Sequence, residues 1–206
     1  MDHISRRDLL LGGALYGSSF WLLLNLPRPL AARAAEESSR PVVLGAGEWK
    51  TVEAIAGRIF PADHEPGARE AGCTNFIDKA LAHEDAAMAP LYQVGLAGVD
   101  AVARKRFAQS FVTLGAEQQD EVLAALESDK AEGWPERAVV PSSTFFEAVR
   151  AHTIIGFLAD PKYGGNRGYA GWKVAGYPGG GHHLGGYSPT QMMGTEKITA
   201  AWGKDV

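Results

Sequence analysis

The chain has 206 residues, 46% of them hydrophobic, and carries 20 Lys and Arg against 24 Asp and Glu, a formal charge of −4. These values exclude a collagen-like, disordered or strongly basic protein and fit one ordinary globular unit. Cys73 is the single cysteine, which excludes an intrachain disulfide, a Cys-rich zinc site, an iron–sulfur cluster and the two-cysteine attachment of a c-type haem.

Residues 1–34 read as an address rather than as part of the fold. Arg6 and Arg7 stand directly before the apolar run Leu9 to Leu26, whose Gly12, Gly13, Gly17, Ser18 and Ser19 keep it only moderately hydrophobic. Pro27 and Pro29 close the run, and Ala32-Arg33-Ala34 has the small-residue spacing that signal peptidase needs. This order predicts a twin-arginine export signal cleaved between Ala34 and Ala35. The competing expectation is a retained N-terminal anchor, because the run reaches the short end of the roughly 17–25 residues that span a bilayer. The signal holds no cysteine, so a lipoprotein-type attachment at its cleavage site is excluded.

Twin-arginine export carries proteins already folded, which suits a chain that assembles with a cofactor or a partner before it leaves the cell interior. Removing 34 residues from 206 leaves 172, with 16 Lys and Arg against 22 Asp and Glu, a net charge of −6. Such an acidic chain is unsuited to nucleic acid, whose phosphates are neutralised by Lys and Arg.

Residues 35–47 are polar or contain Gly and Pro, and read as a loose leader. From residue 48 onward one helical domain is expected, ending in an irregular docking segment over 160–206. Trp49, Val52, Ile55, Ile59 and Phe60 recur at steps of three or four and predict one apolar helix face that ends at Pro61. Pro61 to Gly67 is turn-rich. Thr74 is the expected N-cap of a helix that buries Phe76, Ile77, Ala80 and Leu81. Pro90 opens a long helical pattern through Leu91, Val94, Val99, Val102, Phe107, Phe111 and Leu114, in which Gly95 and Gly98 either weaken the helix or permit close packing. Ala116 to Glu127 forms a further helix with Val122, Leu123 and Leu126 inward. Thr144 to Glu147 has capping-box spacing, and the next helix aligns Phe145, Val149, His152 and Ile155 before Asp160-Pro161 ends it. No stretch alternates with a strand's period of two. The predicted class is all-α, a compact bundle of about five helices.

The last segment has a different composition. Between Gly164 and Gly194 there are 11 glycines in 31 residues, interleaved with Tyr169, Trp172, Tyr177 and Tyr187 and preceded by Tyr163. Glycine at this density disfavours regular helix or strand. A plain linker, however, does not carry aromatics that each bury about 150–250 Å². The segment is therefore expected to order against its own helices or against another chain.

Motifs for chemistry are scarce. The G-x-G-x-x-G fingerprint, the G-x-x-x-x-G-K-[ST] loop and the G-x-S-x-G elbow are all absent. His182-His183 is a candidate metal pair, but adjacent loop residues rarely converge on one ion without further ligands. His152 sits on an apolar helix face, where a hydrogen-bonded core histidine is the plainer reading than a catalytic one. Asp63, Glu65 and Glu70 occupy a turn before a helix, where acids are ordinary. Cys73 is either buried and inert or bonded to a partner's cysteine.

Two stretches carry a resemblance. One is Arg58-Ile59-Phe60-Pro61-Ala62-Asp63, then Pro66 to Gly72, then Phe76-Ile77-Asp78. The other runs from Phe146 to Phe157, then Asp160-Pro161-Lys162-Tyr163-Gly164-Gly165-Asn166, Gly171-Trp172 and Gly176-Tyr177-Pro178-Gly179. Over roughly residues 48–180 the chain resembles the gluconate 2-dehydrogenase subunit 3 family, the small (gamma) subunit of membrane-bound, flavin-dependent sugar and sugar-acid dehydrogenases. The resemblance implies a large partner subunit that carries FAD and oxidises the substrate. It also implies a multihaem cytochrome c subunit, holding haem c, that passes electrons to quinone at the inner membrane. The small subunit would hold no redox centre, would work in the periplasm with indirect membrane association, and would escort the flavoprotein through export. Tyr163, Gly164, Gly165, Asn166, Trp172, Tyr177 and Pro178 are then the expected partner contacts. The alternative is a self-sufficient periplasmic enzyme or binding module using His152, His182 or His183.

Overall fold

A computed structural model describes residues 41–135, 140–179 and 187–204. The export signal with Arg6 and Arg7, the Ala34–Ala35 junction, the start of the leader and His182–His183 lie outside the described residues. The helices are α1 (Ala46–Ile59), α2 (Cys73–Ala82), α3 (Ala89–Phe107), α4 (Ala116–Glu127), α5 (Ser142–Leu158), and the short α6 (Ala170–Ala175) and α7 (Pro189–Met192). Among the described residues there is no strand. The fold is all-α.

The helix ends show where local sequence signals compete. The N-cap of α2 is Gly72, at φ 73°, and Thr74 lies buried inside the helix, so the expected Thr74 cap is not used. Helix α5 likewise begins at Ser142, after Pro141, which places Thr144 within the helix rather than at its cap. The cap of α5 comes from a distance. The Asp129 carboxylate, at the end of α4, accepts the Ser143 N–H at 2.9 Å and the Ser142 and Ser143 hydroxyls at 3.1 and 2.7 Å. Helix α3 stops at Phe107, where Ala108 turns left-handed. Phe111 and Leu114, expected on the same helix, sit in and after a separate 3-10 turn (Phe111–Thr113), and both still reach the core.

Helix α5 is the centre of the bundle and touches α1, α2, α3, α4 and α6. Its burial exceeds the single stripe expected from sequence: Phe146, Thr153, Gly156 and Phe157 are inside together with Phe145, Val149, His152 and Ile155. A helix apolar around most of its circumference belongs inside a core. Gly95 and Gly98 settle the question their positions raised. A Cβ at Gly95 would stand 2.0 Å from the Phe145 ring, and one at Gly98 would stand 2.5 Å from the Trp134 ring. Both glycines let large aromatics lie flat on α3. The stretch Ala86–Phe107 is long and apolar enough to cross a membrane, yet its Tyr92, Leu96, Val99 and Val102 are buried in the bundle.

Two apolar cores result. The larger gathers Val52, Ile55, Ile77, Leu81, Leu96, Val99, Phe111, Leu126, Phe145 and Val149 from α1 to α5 and the turn after α3. The smaller holds Ala56, Phe60, Ala68, Ala71, Cys73, Phe157 and Ala170, with the Phe60 and Phe157 rings stacked at 4.7 Å. Part of the expected loose leader is fixed. Asp78, 1% exposed, accepts the backbone N–H groups of Val42, Val43 and Leu44 at 2.7, 3.0 and 2.8 Å. A buried carboxylate needs such donors, and three of them satisfy it.

The hydrogen bonds on Asp129, chiefly from the Ser143 N–H and hydroxyl, lower its pKa. A lowered folded-state pKa contributes stability that is present above the unfolded value of about 3.9 and is lost as pH falls through the folded value. Urea midpoints of wild type and Asp129→Ala should therefore differ most at about pH 5 and converge towards about pH 2. A difference that stays constant across that range would show that the cap does not act through its charge.

Candidate functional site

The chain after α5 was the expected docking segment. Asp160 starts it by accepting the Lys162 N–H at 3.0 Å, which closes the 3-10 turn Pro161–Tyr163. The backbone then folds back on α5. Asn166 N–H donates to the Gly156 carbonyl at 2.8 Å, and Arg167 N–H donates to the Ala71 carbonyl at 3.0 Å. The Asn166 side chain is 0% exposed. Its amide N–H donates to the Ala159 carbonyl at 2.8 Å, and its amide oxygen accepts the Gly171 N–H at 2.8 Å. Asn75 on α2 adds a bond to the Gly164 carbonyl at 2.8 Å.

Backbone approach is closest at two glycines. A Cβ at Gly165 would lie 2.1 Å from the Gly156 carbonyl oxygen, and one at Gly171 would lie 1.8 Å from the Phe157 carbonyl oxygen. No side chain fits at such distances, so the G-G-N…G-W spacing records main chain lying against main chain. Gly165 and Asn166, expected to face a partner, point into their own domain instead. Asn166 also takes the left-handed conformation, at φ 47°, which Asn tolerates better than most residues.

What this staple presents outward is aromatic. Trp172 donates its indole N–H to the Leu158 carbonyl at 2.6 Å and meets Tyr177 edge-on at 5.1 Å. Tyr169 lies 5.5 Å from Trp172 and 6.0 Å from Trp202. Tyr163, Gly164, Tyr169, Trp172, Tyr177, Pro178 and Trp202 are all partly exposed. Burial, then the nearby Tyr187 and Asp160, raise the Tyr177 pKa, so its hydroxyl stays protonated. The segment is thus ordered against its own helices and leaves a half-covered aromatic surface.

The remaining candidates are engaged internally. His152, 4% exposed, has Nδ1 2.7 Å from the Tyr92 hydroxyl and Nε2 3.2 Å from an Asp85 carboxylate oxygen. Burial, and secondarily the Asp85 charge, push the Tyr92 hydroxyl well above its ordinary pKa. Tyr92 therefore keeps its proton, and both His152 ring nitrogens are engaged, one by the Tyr92 hydroxyl and one by Asp85. This chain satisfies every polar atom of a buried side-chain pair. Asp63 accepts the Glu65 N–H and Glu70 accepts the Gly67 N–H, so these acids shape a turn. Cys73 is 0% exposed and is a free thiol; burial pushes its pKa up to about 12, which keeps it unreactive. Among the described residues no group of three His, Cys, Asp or Glu is placed to hold a metal ion.

Sequence reasoning missed Tyr92, Trp202, the role of Asp78, and the carbonyl and N–H that Asn166 satisfies. Asp78 carried a signal, a carboxylate within the apolar run Phe76 to Leu81. Asn166→Ala should leave the Ala159 carbonyl and Gly171 N–H unpaired in a buried place and cost about 2–4 kcal/mol. Limited proteolysis should then cut after Asp160 while α1–α5 resist. Unchanged resistance of the segment would show that the staple does not hold it.

The gluconate 2-dehydrogenase subunit 3 family model matches residues 46–179, from the first residue of α1 to just past the stapled segment. No curated protein and no solved structure matches the chain significantly. With the smaller core, the backbone staple and all of the larger core but Leu44 inside the matched span, the chain belongs to the gluconate 2-dehydrogenase subunit 3 family.

Proposed function

We propose that this chain is the non-catalytic small subunit of a periplasmic, inner-membrane-associated, FAD-dependent gluconate 2-dehydrogenase-type complex. In this reading it assists maturation of the flavoprotein subunit and carries it out on its own twin-arginine signal. The observation that carries the reading is the family match over α1 to α6 and the stapled segment, in a chain with Arg6-Arg7 before an apolar run. FAD and haem c are assigned to partner chains. The only cysteine here is sealed in the smaller core, where no haem could be attached. Of the histidines that a self-sufficient enzyme would use, His152 is buried with both ring nitrogens engaged, and His182 and His183 lie outside the described residues.

The aromatic surface around Trp172 and Tyr177 is the proposed flavoprotein contact. Partly exposed Trp and Tyr rings on a hydrogen-bonded backbone have the character of interface hot spots, each costing about 2 kcal/mol or more when truncated. Tyr177 is the cleaner test, since the Trp172 indole also bonds Leu158. Tyr177→Ala should lower recovery of the flavoprotein with the purified small subunit, with the melting temperature little changed. Normal co-purification would remove Tyr177 from the interface.

Export is tested separately. Arg6→Lys with Arg7→Lys should leave both chains in the cytoplasm, read by fractionation and immunoblotting. Undiminished periplasmic flavoprotein would show that it does not travel on this signal. N-terminal sequencing of the exported chain distinguishes a start at Ala35 from a retained anchor.

A further inference from the structure

Charge is distributed unevenly along the chain. Residues 35–159 hold 11 Lys and Arg against 19 Asp and Glu, a net −8, whereas residues 160–206 hold five against three, a net +2. The cationic part coincides with the aromatic surface. Arg167 opens the 3-10 turn that ends at Tyr169, and Lys173 on α6 lies over the Trp202 ring at 5.6 Å. Both cations are exposed, and neither pairs with a carboxylate among the described residues. By contrast Arg58, Arg104, Arg106 and Arg150 on the bundle each pair with an acid.

The aromatic group is continuous across the family-matched boundary. Ala201 N–H donates to the Pro178 carbonyl at 2.7 Å, and the Tyr187 hydroxyl donates to the Gly179 carbonyl at 2.8 Å. These two bonds bring Trp202 beside Tyr169. Four partly exposed rings, Tyr169, Trp172, Tyr177 and Trp202, thus stand together, with Lys173 over Trp202 and with Arg167, two residues before Tyr169, lying on Gly72 at the start of α2. Aromatic residues with Arg are what protein interfaces enrich.

We infer that this end of the molecule is a cationic–aromatic face that binds an acidic protein surface, with Trp202 completing it from outside the family-matched region. The inference rests on the proposed pairing with the flavoprotein and specifies the chemistry of that pairing. A body of net charge −8 disfavours the approach of an acidic partner relative to approach through the segment of net charge +2. The charge asymmetry therefore sets orientation and on-rate, and the rings set residence time. Arg167 and Lys173 meet carboxylates at the rim, while Trp172, Tyr177 and Trp202 meet an apolar centre.

The test uses the purified full mature chain and the flavoprotein subunit proposed as its partner, with association measured at about 20 and 500 mM NaCl. Wild-type association should slow by at least about tenfold at the higher salt. Lys173→Glu and Arg167→Glu should each slow association at low salt, with melting temperatures unchanged. Lys173→Arg and Arg167→Lys should restore it, and Lys105→Glu on α3 should behave as wild type. Trp202→Ala should instead speed dissociation by about tenfold or more. If wild type pairs but the reversed charges do no more than Lys105→Glu, this inference fails and the pairing stands. If wild type does not pair at any salt, the proposed pairing itself fails and the inference with it. Vesicles containing phosphatidylglycerol provide a second arm. Salt-sensitive binding to them, lost in Lys173→Glu and without flavoprotein pairing, would assign the face to lipid and overturn the inference. Dimers of wild type alone that Lys173→Glu abolishes would likewise overturn it.

Discussion

The main chain at Gly165, Asn166 and Gly171 lies directly on the last turn of α5. That contact determines what the rest of the molecule can present. It requires glycine at 165 and 171, because each Cβ would collide with a carbonyl oxygen of α5. It requires a side chain at 166 that both donates and accepts, because one helix-end carbonyl and one amide N–H are otherwise stranded in a buried place. An amide side chain meets both needs at once, where a carboxylate would lack the donor. The smaller core, with its Phe60–Phe157 stack, lies beneath this segment. Apolar packing and backbone hydrogen bonds therefore act on the same few residues.

The position of the aromatic surface follows from this arrangement. Trp172 follows Gly171 directly, so a ring set beside the closest backbone approach is aimed by it. Its indole N–H is fixed on Leu158, and Tyr177 and Tyr169 then organise around the ring. Helix α5 contributes at both ends: Asp129 holds its start, and the staple holds its finish. Its middle is tied to α3 through the Tyr92–His152 bond and to the loop after α2 through Asp85. The aromatic surface is built on the helix that touches α1, α2, α3, α4 and α6, an arrangement that would limit the conformational entropy cost of binding there.

The helical bundle was legible because Val52, Ile55 and Ile59, or Val122 and Leu126, repeat at helical spacing, and such repeats survive any detail of tertiary packing. Local caps were less legible. Thr74 and Thr144 have the right chemistry for capping, but Gly72 and Pro141 end the preceding turns and the helices start earlier. The cap of α5 is supplied by Asp129, 14 residues upstream of Ser143, which no local window contains. The resemblance marked the segment around Gly164 to Gly179 as important, yet spacing alone does not say which of its residues face inward. Glycines that admit a carbonyl oxygen and glycines that merely bend the chain look alike until the neighbouring main chain is placed. Trp202 was missed for a similar reason: its ring contacts depend on the return of the chain from Tyr187 to Ala201.

Cys73 has a consequence of another kind. Its thiol is enclosed by alanines and two phenylalanine rings, and no disulfide contributes to the bundle. The covalent structure of this body is therefore the same in a reducing and in an oxidising compartment. A protein built this way can complete its folding in one environment and work in another, with no oxidative maturation step after it arrives.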